Sequence, residues 1–305
     1  MILVGTVLGA DWQTVADAFG LGGIYALMAV GIGLVFGVLR LVNFAYGQLV
    51  MAGAYALAFA YERGWAVWVG ILLCFGVVVL LSVAMDWVVF RPLRSQSPAV
   101  MLVATFAVAF LLQSIALLWF KPLGKIAASL SSLNQPWTIS GVDIRKISVV
   151  ATLVAVACLV GLVVLLGRTS VGLHMRAAAL DFRTARLLGV RANRVISSAV
   201  LISGVLAATV AVLMTVQTPL VTPDFALRDT ILVLAGVVLG GMNRLISATL
   251  GGFAIGFASG FLGGALPTDQ SQYLPSFLFA AVILVLLIRP AGLFTRSSQQ
   301  AVERV

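Results

Sequence analysis

The chain has 305 residues, of which 62% are apolar and 10% are charged, and its formal net charge is +9. About 25% of the residues of a typical soluble domain are charged, so this chain lacks the polar side chains that would cover a water-exposed surface. Composition therefore excludes a soluble enzyme, a disordered chain and a secreted disulfide scaffold, and predicts that much of the surface faces lipid.

Nine apolar stretches follow one another along the chain, and most reach the roughly 20 residues that a membrane-spanning α-helix needs. They are continuous rather than alternating with a period of two residues, which favours helices over a β-barrel. We expect an all-α polytopic transmembrane helix bundle of eight to ten spans, forming one domain over residues 1–305. The second and seventh stretches could be broken or re-entrant helices. The nine stretches are 15–39, 43–61, 66–90, 99–120, 147–167, 195–217, 229–243, 245–264 and 274–288.

The segment from Arg40 to Gln48 joins the first two stretches and contains two amides, Asn43 and Gln48. An amide without a partner is costly at membrane depth, and Gly47 permits a bend between them. Two interpretations are open: an interfacial turn with satisfied amides, or a broken helix that lines a translocation path.

The segment 168–194 holds six Arg and one Asp, and therefore a net +5 of the +9 charge. It predicts a short amphipathic helix, with Gly189 as the residue that ends it. This helix could lie on anionic lipid headgroups, or it could dock a cytosolic partner.

Glycine recurs every four residues along the eighth stretch, at Gly252, Gly256, Gly260 and Gly264. Small residues at this spacing let two helix backbones approach closely in lipid. We interpret the stripe as a helix-packing surface, with a sliding or dimer surface as the alternative.

The positions of Lys and Arg predict the orientation of the chain, since basic residues favour the cytoplasmic side. With the N-terminus outside and the C-terminus inside, 13 of the 19 basic residues lie inside. The outside residues would be Arg63, Lys121, Lys125, Arg145, Lys146 and Arg228.

Catalytic and cofactor motifs are missing from the sequence. The Gly124-Lys125 pair is followed by Ile126 rather than Ser or Thr, so there is no P-loop for ATP. His174 is the single histidine and has no second His or Cys at ligand spacing. We expect no enzymatic activity, no metal site and no cofactor bound by this chain.

Three motifs are spread over about 22–295. One joins Gly23-Ile-Tyr-Ala-Leu27 to Asn43-Phe-Ala-Tyr-Gly-Gln48. Another runs from Arg176-Ala177 to Leu188-Gly189-Val190, and the last joins the glycine pairs at 240–241 and 251–252 to Arg289-Pro-Ala-Gly-Leu-Phe294. With these motifs the chain resembles the permeases of branched-chain amino acid ABC importers, the LivH/LivM type.

The resemblance implies a permease subunit in the bacterial cytoplasmic (inner) membrane that carries a branched-chain or related amino acid. Implied partners are a second permease, identical or different, two cytosolic ATPases that use ATP and Mg²⁺, and a soluble solute-binding protein. Membrane lipid would surround the chain, and nucleic acid is not an expected partner. The implied ATPase-coupling residues are Arg176, Ala177, Asp181, Ala185 and Gly189, and the candidate path residues are Asn43, Tyr46 and Gln48.

Some residues depart from the family pattern. Tyr46 and Gln48 replace the usual His and Glu, Leu180 replaces a frequent acidic residue, and Asn243, Arg244 and Ile246 replace Gly, Ser and Pro. These changes leave open a urea-like or amide solute, a carboxylate or a sugar.

Two functions from other classes are also open. One is an ion-coupled secondary transporter or channel, which would use acids in mid-membrane, but we expect Asp86 near the Arg91 end of its stretch and Asp229 near an outer end. The other is a scaffold subunit that transports nothing.

Overall fold

A computed structural model describes residues 12–39, 42–93, 96–120, 122–139, 142–180, 182–241, 245–267, 270–289 and 292–293. Within them the chain is a bundle of α-helices with two small antiparallel sheets, in which 125–126 pairs with 220–221 and 136–139 pairs with 142–145. In chain order the elements are α1 (Trp12–Leu39), α2 (Tyr46–Glu62), α3 (Val67–Met85), α4 (Arg91–Leu93), α5 (Pro98–Phe120), β1 (Lys125–Ile126), β2 (Pro136–Ile139), β3 (Val142–Arg145), α6 (Lys146–Arg168), α7 (Ser170–Leu180), α8 (Phe182–Leu187), α9 (Ala192–Gln217), β4 (Leu220–Val221), α10 (Leu227–Gly240), α11 (Leu245–Ala265) and α12 (Leu274–Ile288).

Each of the nine predicted apolar stretches contains a helix, which confirms the all-α fold class. Six helices of the described chain are long and apolar enough to cross a membrane: α1, α3 with α4, α5, α6, α9 and α11. The other three apolar helices are shorter, with 17 residues in α2, 14 in α10 and 15 in α12.

The centre of the bundle is formed by α1 and α9, whose most apolar windows are 83% and 72% buried. The corresponding windows of α3, α5 and α6 are only 17–22% buried. These outer helices expose large apolar side chains such as Leu80, Phe110 and Leu153. An apolar helix that is exposed on most of its surface requires lipid around it.

The glycine stripe of α11 packs against α1 of the same chain. Gly252 meets Ala29, Gly256 meets Tyr25, Gly260 meets Ala18, and Gly264 meets Thr14. A Cβ atom at Gly260 would lie 2.7 Å from Ala18 Cα, so the close contact requires glycine. The two helices run antiparallel, which places the C-terminal end of α11 beside the start of α1.

The bundle has two different ends. At the end where α1 begins, which we call the first end, Arg145 donates to Asp17 at 2.6 and 2.9 Å and joins β3 to α1. Lys125 of β1 also pairs with Glu62 at 2.7 Å there. The helices α7 and α8 lie at the opposite end, which we call the arginine-rich end.

Candidate functional site

Both α2 and α10 begin inside the bundle rather than at one of its ends. Tyr46, the first residue of α2, packs against Gly31 of α1, which lies about 12 Å before the last residue of that helix at 1.5 Å per residue. In the first turn of α10, Asp229 Oδ1 accepts a hydrogen bond of 2.5 Å from the Tyr25 hydroxyl, near the middle of α1.

From this point the two helices run in opposite directions. α2 reaches the first end, where Glu62 pairs with Lys125. α10 reaches the arginine-rich end, where Gly240 packs against Ser247 in the first turn of α11. The N-termini of α2 and α10 therefore meet inside the bundle, and Gly47 contacts Thr230 and the carbonyl oxygen of Ala226 there. The segment before α2 is therefore a break inside the bundle and not an interfacial turn, while its role in lining a translocation path stays a prediction.

The position of Asp229 corrects an expectation from the sequence. We expected this acid near an outer end, because it begins a short apolar stretch. Its carboxylate instead lies beside the middle of α1, since α10 starts inside the bundle.

Asn43 stabilises the short segment that leads into α2. Its side chain is 1% exposed, and its Oδ1 accepts a hydrogen bond of 3.1 Å from the Ala45 N–H. The Phe44 N–H donates to Thr105 Oγ1 of α5 at 3.4 Å, and the Phe44 ring stacks on Phe106 with the centroids 3.9 Å apart. Asn43 therefore acts on the backbone around it and does not line the cavity described next.

Tyr46 and Gln48 are buried side chains with polar groups that make no hydrogen bond within the described part of the chain. The Tyr46 hydroxyl and both amide atoms of Gln48 have no hydrogen-bond partner among the described residues, although the side chains are 0% and 1% exposed. Tyr46 fills the space beside Gly31. Gln48 faces a cavity.

This cavity, the junction cavity, lies where α2, α5 and α10 meet and has a volume of about 230 Å³. Its polar groups come from Gln48, Gln113 and Thr230. Aromatic and aliphatic side chains form the rest of its wall: Phe44, Phe106, Ala109, Phe110, Leu227 and Ile231. Of the three path residues predicted from sequence, only Gln48 lines it.

The segment 168–194 contains the helices α7 and α8, and α8 is the short helix that the sequence predicts before Gly189. Gly189 follows α8 with φ +88°, a conformation that favours glycine, and the Val190 N–H donates to the Ala185 carbonyl at 3.0 Å. This is the helix-ending role expected of Gly189.

The predicted coupling residues differ in exposure. Arg176 and Gly189 are exposed, Ala177 is half-buried, and Ala185 is 3% exposed and faces the bundle. Asp181 lies outside the described residues. The side chain of Ala185 can support α8 from beneath but cannot form an outer contact surface.

Three leucines at this end are almost fully exposed and were not singled out as coupling candidates from the sequence. Leu180 and Leu187 are 88% exposed and Leu188 is 80% exposed. Exposed apolar side chains among arginines indicate a protein contact surface. The sequence shows the leucines beside the arginines, but the structure is needed to show which face of each helix is buried.

The ion pair of Asp86 and Arg91 is linked to α9 by a hydrogen bond from Ser197, close to this surface. α3 continues through a π-helical turn, Asp86–Phe90, and π-helical turns occur frequently at functional sites. Asp86 is 2% exposed; its Oδ2 accepts from Arg91 Nε at 3.1 Å and from Ser197 Oγ at 2.5 Å. Ser197 also lines a polar cavity of about 490 Å³ with His174, Arg191 and Gly189.

Comparisons with known proteins show which proteins this chain is similar to. The chain is 29% identical over 302 residues to the high-affinity branched-chain amino acid transport system permease protein BraD of Pseudomonas aeruginosa, covering 95% of this chain and 97% of the relative. It is 27% identical over 310 residues to the corresponding permease protein LivH of Escherichia coli, with coverages of 95% and 97%.

Solved structures support the fold. A chain of the PsaBC complex with Fab from Streptococcus pneumoniae superimposes with a TM-score of 0.51 at 12% identity, covering 92% of this chain and 93% of that chain. The profile of the family described as branched-chain amino acid transport system / permease component matches residues 14–287. With nearly the whole bundle inside that match, the chain belongs to the permease family of branched-chain amino acid transport systems.

Proposed function

We propose that this permease forms one half of the membrane path of an ABC importer for a branched-chain or closely related amino acid. A second permease chain, identical or different, would complete the path. Two cytosolic ATPases would supply the energy from ATP and Mg²⁺, and a soluble binding protein would deliver the solute. The names of the relatives BraD and LivH support the choice of solute.

The single observation that carries this proposal is the junction cavity between the N-termini of α2 and α10. Backbone that is not part of a continuous helix is tolerated at membrane depth only where it is buried in protein or lines a cavity. Transporters place solute sites at such interruptions. The phenylalanines and Ile231 around the cavity match an aliphatic side chain, while Gln48 and Thr230 match polar groups.

Coupling to the ATPases is assigned to the arginine-rich end. We propose that this end is cytoplasmic and that the N-terminus is outside, in the bacterial inner membrane. Leu187 and Leu188 would contact the ATPase, and Gly189 would fix the turn that presents them. ATP binding by the partner would move α7 and α8 and rock the bundle between two states.

The test is uptake by the complete transporter, reconstituted in liposomes with its ATPases and binding protein. We expect radiolabelled L-leucine, L-isoleucine or L-valine to accumulate with ATP, and accumulation to stop when the P-loop lysine of the ATPase is replaced. Urea and acetamide serve as comparison solutes, and ATP-driven accumulation of these in place of the amino acids would overturn the solute assignment. Uptake that continues on an ion gradient without any ATPase would overturn the ABC mechanism.

A further inference from the structure

We infer that the junction cavity is a carboxylate-binding site, in which the N-terminus of α2 and the Gln48 amide hold the carboxylate of the transported solute. This inference rests on the proposed transport function and adds to it the chemical group that the permease itself recognises. It also assigns Gln48 a direct contact with the solute.

The first step concerns the N-terminus of α2. The first N–H groups of an α-helix have no acceptor within the helix, and together with the helix dipole they attract anions. The 17-residue helix α2 has no capping side chain at Ala45 and no acid in its first turn. The Tyr46 N–H donates to the Asn43 carbonyl at 3.4 Å and the Gln48 N–H to the Ala45 carbonyl at 3.1 Å, whereas the Gly47 N–H has no acceptor within the described chain. Tyr46, Gly47 and Gln48, the first three residues of α2, are all buried inside the bundle.

α10 begins at the same place but differs in charge. Its first turn contains Asp229, which compensates the positive end of its own helix. The preceding residue, Arg228, has the opposite charge and is exposed. The uncompensated positive end at the junction is therefore that of α2.

The second step concerns Gln48, which points to a ligand independently. It is 1% exposed and lines the cavity, and neither of its amide atoms has a partner among the described residues. Leaving a buried amide unpaired is unfavourable, and native proteins rarely do so. A carboxylate oxygen at the α2 N-terminus would accept a hydrogen bond from the Gln48 NH₂ group.

The volume of the cavity and the charge of its lining residues fit a small solute that is bound and then released. A cavity of about 150 Å³ is enough to hold benzene, so the roughly 230 Å³ here leaves room for a branched aliphatic chain and a carboxylate. None of the described residues that line the cavity is Lys or Arg. Neutral donors and a partial helix charge hold an anion without trapping it, and transport requires both entry and release.

The experiment measures protection of a reporter cysteine in the complete transporter, with its ATPases, in lipid nanodiscs. Ile231→Cys places the reporter in the cavity wall, in a chain that also carries Cys158→Ala; Cys74 is fully buried. The rate of modification by a small methanethiosulfonate is measured with L-leucine, with 4-methylpentanoate, which lacks the ammonium group, and with L-leucinamide, which lacks the carboxylate. We expect the first two to slow modification and leucinamide to have no effect.

Two variants sharpen the test. Gln48→Glu places a negative charge beside the carboxylate, and we expect it to raise the leucine concentration for half-protection by roughly tenfold or more, as for a lost hydrogen bond to a charged group. Gln272→Glu makes the same change at an exposed residue at the first end and should have no effect. Equal protection by leucinamide and leucine, or unchanged protection in Gln48→Glu, would overturn the inference.

The ligand comparison needs only the reporter variant, so it stands even where Gln48→Glu fails to assemble. Failure of the transport function has a separate signature. A complex that shows carboxylate protection but accumulates none of the three amino acids with ATP would reject the proposed function and retain the binding site. A complex that accumulates leucine without carboxylate-dependent protection would reject the site alone.

Discussion

Individual buried polar side chains in this bundle fall into two groups. Ser203 donates to the Gly31 carbonyl at 2.8 Å, and Ser82 donates to the Val78 carbonyl at 2.8 Å. Tyr46 and Gln48 have no such partner among the described residues. Because an unpaired polar group is unfavourable in the interior of a membrane protein, the first group serves packing, whereas Gln48, which also lines a cavity, is the candidate for a solute contact.

The glycine stripe gives a prediction about packing. Gly252→Ala should lower the stability of the complex by about 1–3 kcal/mol, the usual cost of overpacking, because its methyl group would collide with Ala29 and lie 2.9 Å from the Tyr25 carbonyl. The measurement is the thermal unfolding midpoint in detergent. Gly161→Ala is the matched control, since nothing lies within 4 Å of that position. An equal midpoint for both variants would contradict the packing role.

The ion pair of Asp86 gives a second prediction at this scale. Asp86→Asn should destabilise the complex by about 2 kcal/mol, because it weakens the charged hydrogen bonds to Arg91 and Ser197 in a buried place.

The control for this prediction is Glu62→Gln. Glu62 pairs with Lys125, but its side chain is 42% exposed, so the loss should be less than about 1 kcal/mol. Both changes are measured as shifts of the same unfolding midpoint, and a larger shift for Glu62→Gln would contradict the ranking.

Whole elements show which parts of the fold could be predicted from sequence. Helices α1, α5 and α6 could be predicted from continuous apolar runs. In the hydrocarbon core, the backbone N–H and C=O groups of each segment must hydrogen-bond within that segment. The short run that became α10 suggested a broken helix. Its meeting with α2 could not be predicted, since Gly47 and Thr230 are far apart in sequence and their contact depends on tertiary packing.

The arginine-rich end also could be predicted only in part from the sequence. The charges of 168–194 predicted a helical surface segment, and α7 and α8 provide it. The burial of Ala185 and the exposure of Leu187 could not be predicted, because they depend on which face of α8 rests on the bundle. The docking surface proposed here therefore keeps Gly189, adds Leu187 and Leu188, and leaves out the buried Ala185.

Docking at this surface gives a prediction for α8. Leu187→Glu should reduce the amount of ATPase that co-purifies with the permease by roughly tenfold, because a charged group replaces an apolar contact at a protein interface. The amount of permease in the membrane should not change, since the side chain is 88% exposed.

Leu123→Glu is the matched control for docking. Leu123 is 86% exposed and lies in the loop before β1, at the first end of the bundle. With this variant, the amount of ATPase that co-purifies with the permease should be normal. Normal recovery with Leu187→Glu, or equal losses with both variants, would place the docking surface elsewhere.

At the scale of the whole molecule, composition alone indicated a multi-pass membrane protein, and the helical bundle and the family match over 14–287 confirm it. The same match confirms the permease family suggested by the three motifs, and its description as a permease component agrees with the expectation of a chain without ATPase chemistry. The proposed solute site could be predicted only in part: Gln48 was a candidate from sequence, but its position beside Thr230 depends on where two helices from distant parts of the chain begin.

The central claim is that this junction forms an ATP-driven path through the bundle. It is tested most directly by labelling Ile231→Cys, in the Cys158→Ala chain, with a membrane-impermeant maleimide in right-side-out and inside-out vesicles that contain the complete transporter. With the ATPases nucleotide-free and then trapped with ATP and vanadate, the reporter should be labelled from one side in the first state and from the opposite side in the second. Labelling from the same side in both states, or from neither side in either, would contradict the claim.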